Sequence, residues 1–233
     1  MDDKIYAVMT GDIIGSTRLT ERFGSSWVDD LRDSLDYLKK NSLVPPSIFR
    51  GDSFQIATSN PDSAIKDAII LRLKLISSFK VDETYPRLDA RIAIGLGKID
   101  YLPTGKDNYN IGEMSGEAFR NSGQLLDRNL KGDRNLIVKT PWPEVDAEMD
   151  IHCLVVDRLI SKWTTKQCAA VMYKLDDYNL KEIGEKLNIS FSAVGRRLKK
   201  TDYDIVVRIV ERYPEMIKIK INSHIINHKG DQN

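Results

Sequence analysis

The 233-residue chain has only two cysteines, Cys153 and Cys168, and three histidines, His152, His224 and His228. Neither set has the paired spacing of a zinc site, and two cysteines give a chain of this length no disulfide framework. No apolar run approaches the roughly 18 residues needed to cross a bilayer. The opening MDDKIYAVMTGD is acidic where a secretory leader is basic. A cytoplasmic chain with no membrane partner is therefore expected. Glycine-rich phosphate loops are scarce too. Gly95-Leu96-Gly97-Lys98 and Pro103-Thr104-Gly105-Lys106 lack the Walker spacing and its following Ser or Thr.

What the sequence does have is globular composition, 41 % hydrophobic and 30 % charged, in a length that can bury one large core or two small ones. The net charge of +1 hides an uneven distribution. Residues 151–233 carry 15 Lys and Arg against 10 Asp and Glu, and the remainder carries 20 against 24. This change of sign points to two parts with different partners. Pro141 and Pro143 interrupt the pattern between them, which predicts domains at 1–140 and 141–233.

In the first part, Ile5 to Met9 reads as a buried strand bounded by Gly11. Leu19, Phe23, Trp27, Leu31, Leu35 and Leu38 follow at helical spacing, with a break at Gly24-Ser25-Ser26. Ser47 to Phe49 and Phe54 to Ala57 form a hairpin around Gly51-Asp52. A second helix carries Ile65, Ile69, Leu73, Ile76 and Phe79, and Leu88 to Leu96 alternates as a half-buried strand. Strand, helix, strand, strand, helix, strand is the ferredoxin-like order, an α+β class with a mainly antiparallel sheet. A last strand is expected over Asn135 to Val138.

That order brings Asp12, at the end of the first strand, to the same sheet edge as Asp52 in the hairpin. Singly, Asp12 reads as a helix cap and Asp52 as a turn residue. Together they form an acidic pair. Two carboxylates about 4 Å apart repel by roughly 4 kcal/mol at an effective dielectric near 20, a cost that a shared hard cation such as Mg²⁺ or Mn²⁺ removes. Ile13, Ile14, Gly15, Ser16 and Thr17 lead into a helix whose free N–H groups favour an anion. Acidic pair and helix start together suit a metal-bound nucleoside triphosphate.

These residues resemble a known family. GDIIGST is similar to the metal-binding motif on the first strand of class III nucleotide cyclases, FRGDSFQI to their second-aspartate hairpin, and LDARIAIGLGKI to the core strand that follows. MSGEAFRNSG is similar to their dimer-interface helix, so the likeness spans about residues 4–125. It implies a homodimer that binds a purine nucleotide, with Asp12 and Asp52 on the metal and 13–17 on the phosphates. Combined with the helical C-terminus, the chain most resembles the SatD family. The motifs also depart from the cyclases. Ile48 stands where they place a base-reading lysine, and Arg120 and Gln124 where they place an asparagine and a transition-state arginine. Arg50 and Arg120 are the candidates for supplying that missing charge.

The second part reads as helical. Ile183, Gly184, Leu187, Asn188, Ile189, Val194 and Leu198 in NLKEIGEKLNISFSAVGRRLKK have the spacing of two helices crossing at a tight turn, and resemble the helix-turn-helix of bacterial transcription factors. Ser190 is placed to cap the second helix. With Ser192, Arg196, Arg197, Lys199 and Lys200 it makes the candidate DNA-binding set. Ile217, Ile219 and Ile221 alternate with lysines after Pro214, which predicts an edge strand. Three functions follow: a regulator joining nucleotide and DNA binding, an active nucleotidyl cyclase or nucleotidyltransferase, and a non-catalytic dimerisation domain.

Overall fold

The computed structural model describes residues 4–78, 87–102, 113–129 and 134–230. Phe79 and the segment Pro103 to Lys106, both read from the sequence, lie outside them. The chain is mixed α and β. It begins with β1 (Tyr6–Ile13), α1 (Ser16–Phe23) and α2 (Ser26–Leu38), continues through β2 (Ser47–Phe49) and β3 (Ser53–Thr58), and enters α3 (Ala64–Ser78). β4 (Ala90–Gly97), β5 (Ile99–Tyr101), β6 (Ser115–Gly116), α4 (Glu117–Asn129) and β7 (Leu136–Lys139) follow. The sheet order is β2-β3-β1-β4-β7, antiparallel except for the parallel β4–β7 pair, so β3 lies between β1 and β2. β5 and β6 pair separately.

Gly24 explains the break between α1 and α2. Its φ of 62° is left-handed, a conformation that glycine adopts without a Cβ clash. On one sheet face Ala7, Met9, Ile13, Phe54 and Ile92 pack against α1, α2 and α3. On the other face lies α4, held close by Gly95. A Cβ there would sit 2.3 Å from the Ala118 carbonyl oxygen and 2.4 Å from the Ser122 nitrogen. Thr10 and Ser122 hydroxyls meet at 2.9 Å under this contact.

α3 is buried on almost every side, because the sheet covers one face and the C-terminal helices the other. Those helices are α5 (Pro143–Lys162), α6 (Thr165–Leu175), α7 (Leu180–Leu187), α8 (Phe191–Lys199) and α9 (Tyr203–Gly230). α5 begins with Pro143 in its first turn, close to the expected boundary at 141, yet the apolar core runs unbroken from the sheet through α3 into α5, α6 and α9. Within it Arg72 is 1 % exposed. Its Nε and Nη2 donate to Asp89 at 2.9 and 2.8 Å, and its Nη1 donates to Asp157 of α5 at 2.5 Å. Burial alone lowers the pKa of a guanidinium, but the two carboxylates outweigh it and hold Arg72 charged. Asp157 also accepts the N–H groups of Asn135 and Leu136, which ties α5 to the start of β7.

The edge strand expected at Ile217 to Ile221 is instead part of α9, which contains Pro214. Val206, Ile209, Tyr213, Met216 and Ile217 are buried at helical intervals, while Ile219 is 60 % exposed. Burial of that stripe outweighs the backbone hydrogen bond that a proline removes.

Candidate functional site

Asp12 and Asp52 do reach the same sheet edge. Asp12 lies opposite Ser53 in the β1–β3 register, and the Ile13 N–H donates to the Asp52 backbone carbonyl at 3.1 Å. Their carboxylates have different partners. Arg91, opposite Asp12 on β4, donates Nε and Nη2 to its two oxygens, both at 2.8 Å. Asp52 instead accepts the Ser16 hydroxyl at 2.5 Å and the Ser53 hydroxyl at 3.3 Å. The sequence pattern marked Arg91 only as an outward residue of an alternating strand. Its pairing depends on strand register.

The hairpin turn differs from the simple Gly51-Asp52 tip. Arg50 and Gly51 both have positive φ, 53° and 86°, and Asp52 closes the turn before β3. Glycine takes that conformation freely, whereas arginine there costs about 1 kcal/mol. An open hollow of ≈ 450 Å³ is lined by Arg50, Gly51 and Asp52 of the turn and by Ser16, Thr17, Thr20, Glu21 and Trp27 among the residues of α1 and α2. The first turn of α1 begins at Gly15, φ 68°, and has no side-chain cap. The first-turn N–H groups and the Arg50 guanidinium are the groups here that attract an anion, set against the carboxylates of Asp52 and Glu21.

A divalent cation fits this corner only in part. Asp52 and the Ser16 hydroxyl are hard oxygen donors of the kind Mg²⁺ and Mn²⁺ take. Asp12 has both oxygens engaged by Arg91, and among the described residues no group of three or more His, Cys, Asp or Glu side chains is placed to hold a metal. Arg120, the other candidate for transition-state charge, lies on α4 beside Asp100 at 3.5 Å and is mostly exposed.

The second candidate surface is on α8. Gly184 lets α7 meet the following turn, since a Cβ there would lie 2.7 Å from the Ile189 carbonyl oxygen. Asn188, φ 51°, ends α7, and the Ile189 N–H returns to the Gly184 carbonyl at 2.9 Å. A reciprocal cap of Asn179 and Glu182 starts α7, and the Ser190 hydroxyl accepts the Ala193 N–H to start α8. Ile183, Val194 and Leu198 are buried against α6.

The predicted contact residues then separate by role. Ser192, Arg196 and Lys199 are exposed on α8 and Lys200 just after it, whereas Arg197 is half-buried and Ser190 uses its hydroxyl in the cap. Phe191, which the charge pattern did not single out, is 66 % exposed at the start of the helix. Among the described residues no helix is long and apolar enough to cross a membrane. No protein-family model matches the chain, and no curated protein matches it significantly.

Proposed function

We propose that the chain is a cytoplasmic DNA-binding regulator whose N-terminal part is a ferredoxin-like, class III cyclase-like module that binds a purine nucleotide. The observation that carries this reading is the capped α7–turn–α8 unit, packed on α6, with Ser192, Arg196 and Lys199 exposed on its second helix and Lys200 just after it. A helix so presented matches the width of the DNA major groove, with its first residues at base edges and its lysines on phosphates. The nucleotide reading is supported by the hollow between the uncapped start of α1 and Arg50.

Mg²⁺ or Mn²⁺ would enter at Asp52 and Ser16, and Asp12 would join only if Arg91 withdrew from it. The cation would neutralise phosphate charge. Turnover as a nucleotidyl cyclase or nucleotidyltransferase is less well supported, because the described site offers Arg50 and an Asp100-paired Arg120 in place of the arginine such chemistry uses. A homodimer belongs to this reading through the likeness of residues 114–123, which span β6 and the start of α4, to an interface helix.

Fluorescence anisotropy with labelled duplexes tests the DNA reading. Arg196→Ala should weaken specific binding by about 1–3 kcal/mol if it contacts a base, and Lys199→Ala should weaken all sequences alike and reduce the salt slope by about 1. Wild-type protein with no salt-dependent affinity for any duplex would end this reading. Repeating the titration with ATP or GTP and Mg²⁺ tests coupling, since a bound nucleotide that regulates must change DNA affinity.

A further inference from the structure

Phe191 has the largest exposure among the exposed large hydrophobic residues described, 66 %, at the first position of α8. A phenyl solvated to this extent at a helix start gains little from the fold, and Phe191 is not part of the apolar core. Its surroundings are polar and mainly basic. α8 contains Arg196, Arg197 and Lys199 and no acidic residue, Lys200 follows directly, and none of the four makes an ion pair with a described residue. On the side of the turn, Lys181 and Glu185 border the groove that Phe191 closes. A polyanion is the partner such a charge balance favours.

Helical spacing places Phe191, Gly195 and Lys199 along one side of α8, with Ser192 and Arg196 beside them. Gly195 is in the helix interior, and a Cβ there would meet nothing within 4 Å. No internal packing calls for a glycine. Its effect is to leave the middle of the outward side flat between the phenyl and the distal cations, so that another surface can come close to the backbone.

We infer that Phe191 is a specificity-determining residue that reads a thymine through its C5 methyl group in the major groove. This rests on the DNA-binding reading of α8 and goes beyond it by naming the residue and the chemical group it recognises. The first residues of the second helix are the ones that reach base edges. A phenyl has no hydrogen-bonding group, and the apolar feature that the major groove offers it is the thymine methyl. Arg196 and Ser192 then supply hydrogen bonds, and Lys199 and Lys200 supply attraction that does not depend on sequence.

The full chain, wild type and Phe191→Ala, is used to select duplexes from a randomised pool, and the wild-type consensus is resynthesised with deoxyuridine at each thymine in turn. Wild type should enrich thymine at one position in each half-site, and losing one such methyl should weaken it about fourfold, the worth of one buried carbon. Phe191→Ala should lose the preference at that position alone, bind thymine and deoxyuridine equally there, and keep the wild-type melting temperature because the side chain is exposed. Equal wild-type affinity for the two bases at every position overturns the inference, as does a Phe191→Ala consensus with the same thymine. A Phe191-dependent preference for single-stranded over duplex DNA also overturns it, in favour of base stacking. Salt-dependent duplex binding without thymine preference ends the Phe191 role and leaves the DNA reading standing, whereas no duplex binding by wild type ends both.

Discussion

The sheet-edge corner and the outward side of α8 are both rich in charge, and they differ in where that charge is answered. At the corner Asp12 is held by Arg91 and Asp52 by Ser16, so the acids are satisfied within the protein. On α8 Arg196 and Lys199, with Lys200 just after them, are exposed without a described acidic partner. A ligand at the corner must compete with existing bonds, and only the difference between old and new contacts contributes to affinity. A ligand at α8 has only solvent and counterions to displace. The corner is thus suited to exchange between two arrangements, and α8 to plain attraction.

Arg72 lies in the core that joins the corner's sheet to the C-terminal helices, and removing it should have the largest effect. The Asp89 backbone carbonyl accepts the Ile14 N–H at 2.9 Å beside the corner, while the Asp89 side chain holds Arg72, which in turn holds Asp157 of α5. Arg72→Met leaves two buried carboxylates without their cation and should cost about 3–5 kcal/mol in urea unfolding. Converting Asp89 and Asp157 to Asn in the same chain should recover much of the loss, because no charge is then stranded. A loss within about 1 kcal/mol for the single variant would show that the Arg72 ion pairs contribute little to joining the sheet and α5.

These contacts also show which parts of the structure the sequence could reveal. Period-two alternation located β4, and apolar runs with glycine punctuation located β1 and the β2–β3 hairpin. The helix-turn-helix was legible because Gly184, Asn188 and Ser190 each meet a local backbone demand. The Asp12–Arg91 pair was not. A shift of one residue in register turns a side chain to the opposite face, so no spacing within β4 could assign Arg91 to Asp12. α9 was misread for another reason. Pro214 and the alternation of Ile217, Ile219 and Ile221 imitate a strand, and only the buried stripe from Val206 to Ile217 shows a helix. Phe191 stayed hidden because an isolated aromatic residue in a sequence is ordinarily core.

A smaller effect is expected at Arg50. Arg50→Gly removes the left-handed strain at φ 53° and should raise stability by up to about 1 kcal/mol. If Arg50 serves the hollow as an anion contact, the same variant should lose the melting shift that ATP or inorganic phosphate gives the wild type. Gained stability with an intact ligand shift would make Arg50 a turn residue only, and the corner would then resemble α8 less than its charge implies.

The smallest stability change, and the most direct test of the contrast, belongs to Arg91. The Arg91 side chain is 37 % exposed and that of Asp12 19 %, so the pair is partly solvated and Arg91→Ala should cost about 1 kcal/mol or less. Its electrostatic consequence is larger than its stability cost. Without the guanidinium both Asp12 oxygens are released at the same sheet edge as Asp52, and a hard cation can then draw the two acids together. Mn²⁺ should therefore raise the melting temperature of Arg91→Ala more than that of the wild type, and Asp52→Asn in the same chain should abolish the gain. If Mn²⁺ shifts both proteins equally, or the gain survives Asp52→Asn, the two acids do not share a cation. The corner is then an internal ion pair beside the Arg50 hollow, its charge committed to the fold while that of α8 faces solvent.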